Sequence, residues 1–339
     1  MPGWFHQRRH GLRIAGYTGG LLGLAVVLVL VIHTDIAAML RAVGSAGWKL
    51  LWLTPYRAVF FLLYAVGWLE LLRPYDAARR AGLGYVFWVT TVREAIDRLL
   101  PVASVGGGVA GIRLLRWRGL AAAPVSATVI VEVLLTLMAS YLFAVMGLVL
   151  FIHLEATGQE QRHILLALIF SLPVPVATFL LMRYGSVFQR LESLLRPLVS
   201  EGPLFQGAQS LDRELRDCLH RLRALLWVGT LQLAALLSGS FEIWLALRLF
   251  GHPVSVSAAI ALESLTQAVR HLAFFVPAGL GVQEASLVVF GQALGINSEL
   301  ALAVSVAKRI REVSCGVPAL LSWQWMEGRR LRRPASHPC

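Results

Sequence analysis

Charge is scarce in this chain. Only 15% of its 339 residues are Asp, Glu, Lys or Arg, while 57% are hydrophobic. A soluble domain has about 25% charged residues. With a mean hydropathy of +0.67, a water-soluble fold would leave more apolar surface than one core can bury. Cysteine is almost absent as well. Cys218, Cys315 and Cys339 have no paired spacing and form no CxxC, which excludes a disulfide frame and a zinc site. HExxH, GxSxG, a P-loop and any metal-spaced His/Cys set are also missing, so neither an enzyme nor a cofactor is expected. Nor do apolar and polar residues alternate as they do in strands. A bilayer accommodates only helices or closed barrels, and long continuous apolar runs select helices.

What is present fits an all-α polytopic membrane protein. Six segments are long enough to cross a core of about 30 Å: 14–33, 50–72, 124–152, 164–182, 224–249 and 300–324. The first follows Arg8, Arg9 and Arg13, and no A-x-A-like site comes after it. A retained helix is therefore expected rather than a cleaved signal. Trp48, Trp52, Trp68, Trp227, Trp244, Trp323 and Trp325 sit near segment ends, where amphipathic rings prefer the interface.

Two further stretches are apolar but interrupted. One runs from about 84 to 118, with Arg93, Glu94, Asp97 and Arg98 before Pro101 and the glycines Gly106, Gly107 and Gly108. The other runs from about 255 to 296, with Glu263, Arg270 and His271 before Pro277, Gly279, Gly281 and Glu284. Each reads as two short helices joined by a Pro/Gly break, neither long enough to span alone.

The net charge is +12, but no basic groove interleaved with stacking aromatics accompanies it, so nucleic acid is not expected as a partner. The arginines collect in loops instead. The N-terminus, the 73–84 loop, the 183–223 loop and the 326–339 tail are basic and are expected on the cytoplasmic side. Both ends of the first interrupted stretch then lie on the cytoplasmic face and both ends of the second on the opposite face. The expected architecture is six spans plus two re-entrant hairpins in a weak inverted repeat, the pattern of many transporters. It is one membrane domain, with halves at 10–182 and 224–325. The 183–223 connector has Leu211, Leu215, Leu219 and Leu222 at helical spacing after Ser210 as an N-cap, with Asp212 and Glu214 in the first turn. It reads as an amphipathic helix on the headgroup surface or as a solvated linker.

Charges inside a bilayer persist when paired or facing a polar cavity. Arg93 and Asp97, four apart, are spaced to pair on one face. With Glu94 and Arg98 they form either an interfacial salt-bridge cluster or a polar entrance for a lipid headgroup. Glu284 either caps its own helix or lines the cavity. Lys308, Arg309, Arg311 and Glu312 lie inside the last span. They are expected to face inward, against Glu132, Glu263 or Glu284. Arg309 is the strongest candidate for a functional charge, as counter-charge or phosphate contact. His271 reads as a satisfied core residue.

The stretches REAIDRLLPVASVGGGVAGIRLL, FVPAGLGVQEASLVVFGQALGI and AVSVAKRIREVSCGVPALLSW resemble the lysylphosphatidylglycerol synthase transmembrane, flippase-like family. The resemblance covers about 10–325. Its most specific part is PxGLGVxE, Pro277 to Glu284, followed by the Arg309 helix. The overall layout is closest to the hopanoid-biosynthesis-associated branch. The resemblance implies a lipid translocase or trafficking factor in the bacterial cytoplasmic membrane, with both termini inside and a hopanoid or phospholipid as partner. The resemblance carries over to Glu284 and Arg309, and with the intramembrane charges Glu132, Arg93, Glu94, Asp97 and Arg270 these make up the expected headgroup cavity. Where the family usually has an acidic residue after two glycines, Gly108 stands here. A membrane-embedded transferase, with Glu94 or Asp97 as base, and a scaffold for lipid-biosynthesis enzymes are the alternatives.

Overall fold

The computed structural model describes residues 41, 43–44, 46–100, 106–155, 180, 203–273, 276, 279 and 281–331. The expected first span, most of the fourth, Pro101, Pro277 and the basic N-terminus lie outside the described residues. Within them the architecture is all-helical, as the uninterrupted apolar runs require. The helices are α1 (Leu53–Leu72), α2 (Leu83–Leu99), α3 (Gly106–Arg116), α4 (Ala122–Glu155) and α5 (Pro203–His220), then α6 (Leu222–Leu249), α7 (Val256–Leu272), α8 (Val282–Ala293) and α9 (Ser298–Leu331). Prolines stand where their missing N–H is tolerated: Pro55 and Pro124 fall in first turns. Ser255 caps α7, its side-chain oxygen accepting from the Ala258 amide.

Three segments are long and apolar enough to cross a membrane: Gly47–Tyr75, Ala122–Leu154 and Leu222–Leu249. They coincide with three of the six expected spans. The 300–324 segment lies inside α9, a helix of 34 residues and about 50 Å. The charges at Lys308, Arg309, Arg311 and Glu312 interrupt its apolar face.

Each interrupted stretch is two helices around a break. Their lengths repeat along the chain. The 17 residues of α2, 11 of α3 and 34 of α4 recur as 17 in α7, 12 in α8 and 34 in α9. The packing repeats with them. α1 lies against α6, α2 against α9, and α7 against α4. The first short helix of each set is therefore gripped by the longest helix of the other set.

The breaks differ. Gly279 and Gly281 have φ of +60° and +77°, a left-handed backbone that glycine adopts without a Cβ clash. They are a true break, and Gly281 is the N-cap of α8. Gly106 and Gly107, expected at the corresponding break, are instead the first turn of α3. Their role is close approach, described below.

The connector helix also differs from expectation. α5 begins at Pro203, not after Ser210, because proline suits a first helical turn. Part of its apolar stripe turns inward, although Leu222, which opens α6, is exposed. Leu215, Cys218 and Leu219 pack with Leu71, Ala127, Val131 and Leu135 of α1 and α4. Burial pushes the Cys218 thiol up to about 11. Only the thiolate reacts readily, so Cys218 should resist maleimide in the native protein and label after denaturation in SDS. Peptide mass shifts measure this, and fast native labelling would mean that α5 detaches from α4.

Candidate functional site

Charges inside the helical core sort into pairs across helices. Arg57 on α1 reaches Glu94 on α2 at 3.2 Å and Glu242 on α6 at 3.8 Å. Its guanidinium stacks 3.5 Å from the Phe60 ring centre. Arg98 shares Glu94 at 3.0 Å. Arg311 on α9 donates to Glu242 at 2.7 Å. Lys308 meets Glu263 of α7 at 2.5 Å, and Gln267 donates to the other oxygen of that carboxylate at 2.9 Å. Arg309 lies 3.4 Å from Glu284 and 3.2 Å from Glu312. Arg270 donates to Gln283 at 2.9 Å and faces Glu312 at 3.8 Å. One polar network thus ties α1, α2, α6, α7, α8 and α9 together. Separately, Arg93 donates to Glu132 of α4 at 2.6 Å and stacks 4.3 Å from the Trp68 ring centre.

The expected inward pairing of the α9 charges holds for Lys308 with Glu263 and Arg309 with Glu284. Two partners are different. Glu132 pairs with Arg93, and Arg311 takes Glu242. The expected Arg93–Asp97 pair does not form. Asp97 turns to the neighbouring helix, where its carboxylate accepts the Gly107 amide at 2.9 Å. Helical spacing permits an i,i+4 pair, but a helix N-terminus with free N–H groups is a competing partner. Gly107 allows the approach, since a Cβ there would lie 2.6 Å from the Arg93 carbonyl oxygen. Glu284 caps and bridges at once. One oxygen accepts from the Gly281 amide at 2.8 Å, and the other accepts from Ser305 at 2.9 Å and from Arg309.

A cavity of about 460 Å³ opens between α1, α2, α4 and α7. Of the sequence-expected residues, Arg93, Glu94, Asp97, Glu132, Arg270 and Gly279 line it. Glu284 and Arg309 do not. They sit behind the second break, where Arg309 also approaches the Gly279 carbonyl at 3.5 Å. His271 is exposed at the cavity edge rather than buried. Phe60, Phe61, Val133, Leu137 and Leu236 supply apolar wall. Val133 and Leu137 are about half exposed, so this part of the wall is an open apolar edge.

Sequence reasoning missed Arg57 and Glu242, although each is an isolated charge inside an apolar span. It also missed a stripe on α4: Glu132, Thr136 and Ser140 recur every four residues and all line the cavity. The signal was there, three polar groups on one face of an otherwise apolar helix. Among the described residues no group of His, Cys, Asp and Glu is arranged to hold a metal.

The family model for the lysylphosphatidylglycerol synthase TM region matches residues 18–317. The chain belongs to that family. It is accordingly a membrane protein of a family that acts on lipids. No curated protein and no solved structure matches it. The family match spans α1 to α8 and most of α9, including every charge pair described above.

Proposed function

We propose that this protein moves a membrane lipid between leaflets or between membrane compartments, with the headgroup passing through the cavity. The observation that carries this is a charged and hydroxylated cavity enclosed by helices that are otherwise apolar. Such a cavity is expensive in a bilayer unless it serves a polar group. Its exposed apolar edge at Val133 and Leu137 would let acyl or polycyclic tails remain in lipid while the headgroup enters. We read α2–α3 and α7–α8 as re-entrant hairpins entering from opposite faces. With six crossings they form an inverted repeat in the bacterial cytoplasmic membrane, termini inside. The repeated helix lengths and the reciprocal packing of α2 on α9 and α7 on α4 support that reading. A hopanoid is the cargo that the branch resemblance favours.

A transferase activity is less supported, because of its two candidate bases Glu94 is held by Arg57 and Arg98 and Asp97 accepts the Gly107 amide through one oxygen.

Reconstitution tests the function. Purified protein in liposomes should speed loss of a fluorescent lipid signal to an external quencher. Thr136→Trp should fill the cavity and abolish that gain while the protein still folds. Equal rates with and without protein, for both hopanoid and phospholipid reporters, would remove the proposal. Topology is tested by cysteines at the two ends of each hairpin. Gly82→Cys and Ala121→Cys should label from the cytoplasmic face, and Pro253→Cys and Ala293→Cys from the other. All four positions are exposed. Opposite-face labelling within one pair would rule out a hairpin there.

A further inference from the structure

Away from the cavity, cations gather at one end of the helical core. Arg113, Arg116 and Arg118 stand at the end of α3 and just after it, Arg329 and Arg330 at the end of α9, and Arg80 in the turn before α2. All six are exposed, and none lines the cavity. Contacts bring the three segments together. Arg113 pairs with Glu327 of α9. The Arg330 guanidinium lies 5.0 Å from the ring centre of Trp117, just after α3. Arg118 lies 4.2 Å from the ring centre of Tyr85, in the first turn of α2. A Cβ on Gly119 would fall 2.7 Å from an Arg80 nitrogen, so that guanidinium rests against the chain beyond α3. Among the described residues, Arg113 with Glu327 is the only ion pair that any of the six makes. Asp76 lies near Arg80 in sequence, but its two oxygens accept the Arg80 and Ala81 amides at 2.9 and 2.7 Å.

These cations continue an apolar ridge. On α9, Val313, Val317, Leu321 and Trp325 follow one another at intervals of four residues, and each is between 42% and 62% exposed. Arg329 is the next position, and its guanidinium stacks 3.9 Å from the Trp325 ring centre. Residues four apart adjoin on a helix surface. The exposed edge of α9 therefore runs from aliphatic to indole to guanidinium. From Val313 to Trp325 it measures about 18 Å, close to the roughly 15 Å that one leaflet contributes to the bilayer core. An indole at that point marks the headgroup level.

We propose that the ends of α3 and α9, with the Arg80 turn, form a docking site for an anionic phospholipid. Its phosphate lies among the arginines and an acyl chain lies along the Val313–Leu321 ridge. Charge complementarity selects the headgroup. Five unpaired cations on three segments repel one another. A phosphate shared between them offsets that repulsion and accepts charge-assisted hydrogen bonds from several guanidinium groups. An arginine stacked on a ring uses its face, which leaves its edge N–H groups to reach a phosphate. The ridge favours a lipid over an acidic soluble partner, because the cations open onto side chains that acyl chains cover. The bound lipid ties α3 to α9 and is distinct from any lipid that enters the cavity.

The test is competitive lipid retention by the full chain. The protein is held in nanodiscs with equal amounts of phosphatidylglycerol and phosphatidylcholine of identical acyl chains. After transfer to detergent, retained lipids are counted by native mass spectrometry. Wild type should keep phosphatidylglycerol several-fold over phosphatidylcholine. Arg118→Gln with Arg330→Gln should lower that preference by about fivefold for each charge removed. Arg116 is exposed and in no ion pair among the described residues, so Arg116→Gln should fold even where the double variant does not, and should lower the preference by itself. Thr136→Trp, which fills the cavity, should leave the preference intact. Equal retention of the two lipids by wild type, or an unchanged preference in the arginine variants, would overturn the proposal. Loss of the preference in Thr136→Trp would place the anionic lipid in the cavity and overturn it too. So would displacement of phosphatidylglycerol by inorganic phosphate, which would make this a site for the free ion. Lipid movement through the cavity stands or falls separately, in the liposome measurement.

Discussion

Lys308→Ala is expected to destabilise the folded protein by about 3–5 kcal/mol, the usual consequence of leaving one member of a buried ion pair alone. Both side chains are almost wholly buried, at 5% and 4% exposure, and their charged atoms are 2.5 Å apart. Water cannot replace the ammonium group, and Gln267 alone would be left to face the Glu263 carboxylate. The pair also joins α7 to α9, so its loss loosens the seat of the second helix pair. Lys308→Met combined with Glu263→Leu removes both charges and keeps the volume. That double variant should melt well above Lys308→Ala, because the cost lies in the orphaned charge and not in the missing attraction. Thermal unfolding in detergent, followed by size-exclusion chromatography of the heated samples, measures both. A Lys308→Ala protein that melts with wild type would show that Glu263 finds another counter-charge.

Gly107→Ala is expected to cost about 1–3 kcal/mol or more through overpacking, while Gly108→Ala next to it should be nearly neutral. An added Cβ at Gly107 would meet the Asp97 carboxylate, with its carbon at 2.8 Å, and the Arg93 carbonyl oxygen at 2.6 Å. The second contact is backbone and has no rotamer to escape into. At Gly108 the nearest atom is a methyl of Val129 at 3.5 Å, an ordinary contact. In lipid, where helix association depends on close packing, small residues at such contacts matter more than apolar area. The α2–α3 pair should open in Gly107→Ala, freeing Asp97 and altering the cavity wall it lines. Paired measurements of melting temperature and lipid movement in liposomes would show both losses in Gly107→Ala and neither in Gly108→Ala. The same behaviour in both variants would contradict the close approach.

The two interrupted stretches were legible from sequence because glycine and proline punctuate them. The helices flanking each break then formed where the apolar runs resumed. The pairing of α9 charges with Glu263 and Glu284 was legible too, since few acids were available inside apolar segments. Arg57 and Glu242 were not read as functional. A single polar residue in a span has no local signature that tells burial against a partner from exposure at the membrane edge. Ser210 as a helix start was misread for a related reason. Its capping chemistry is common, and Pro203 upstream offered the chain an earlier start.

What the sequence determined by itself is the solvent and the secondary structure. Scarce charge and long apolar runs demand a bilayer, and in a bilayer a backbone must satisfy its own hydrogen bonds. Family membership is also carried by local motifs, the PxGLGVxE element above all. What only the tertiary structure decided is which charge meets which. Glu132 could face α9 or α2, Asp97 its own helix or the next, and Glu284 a cap, a cavity or a guanidinium. Periodicity fixes which residues share a helix face, but not which neighbouring helix lies across from it. That depends on packing between the halves, α2 on α9 and α7 on α4.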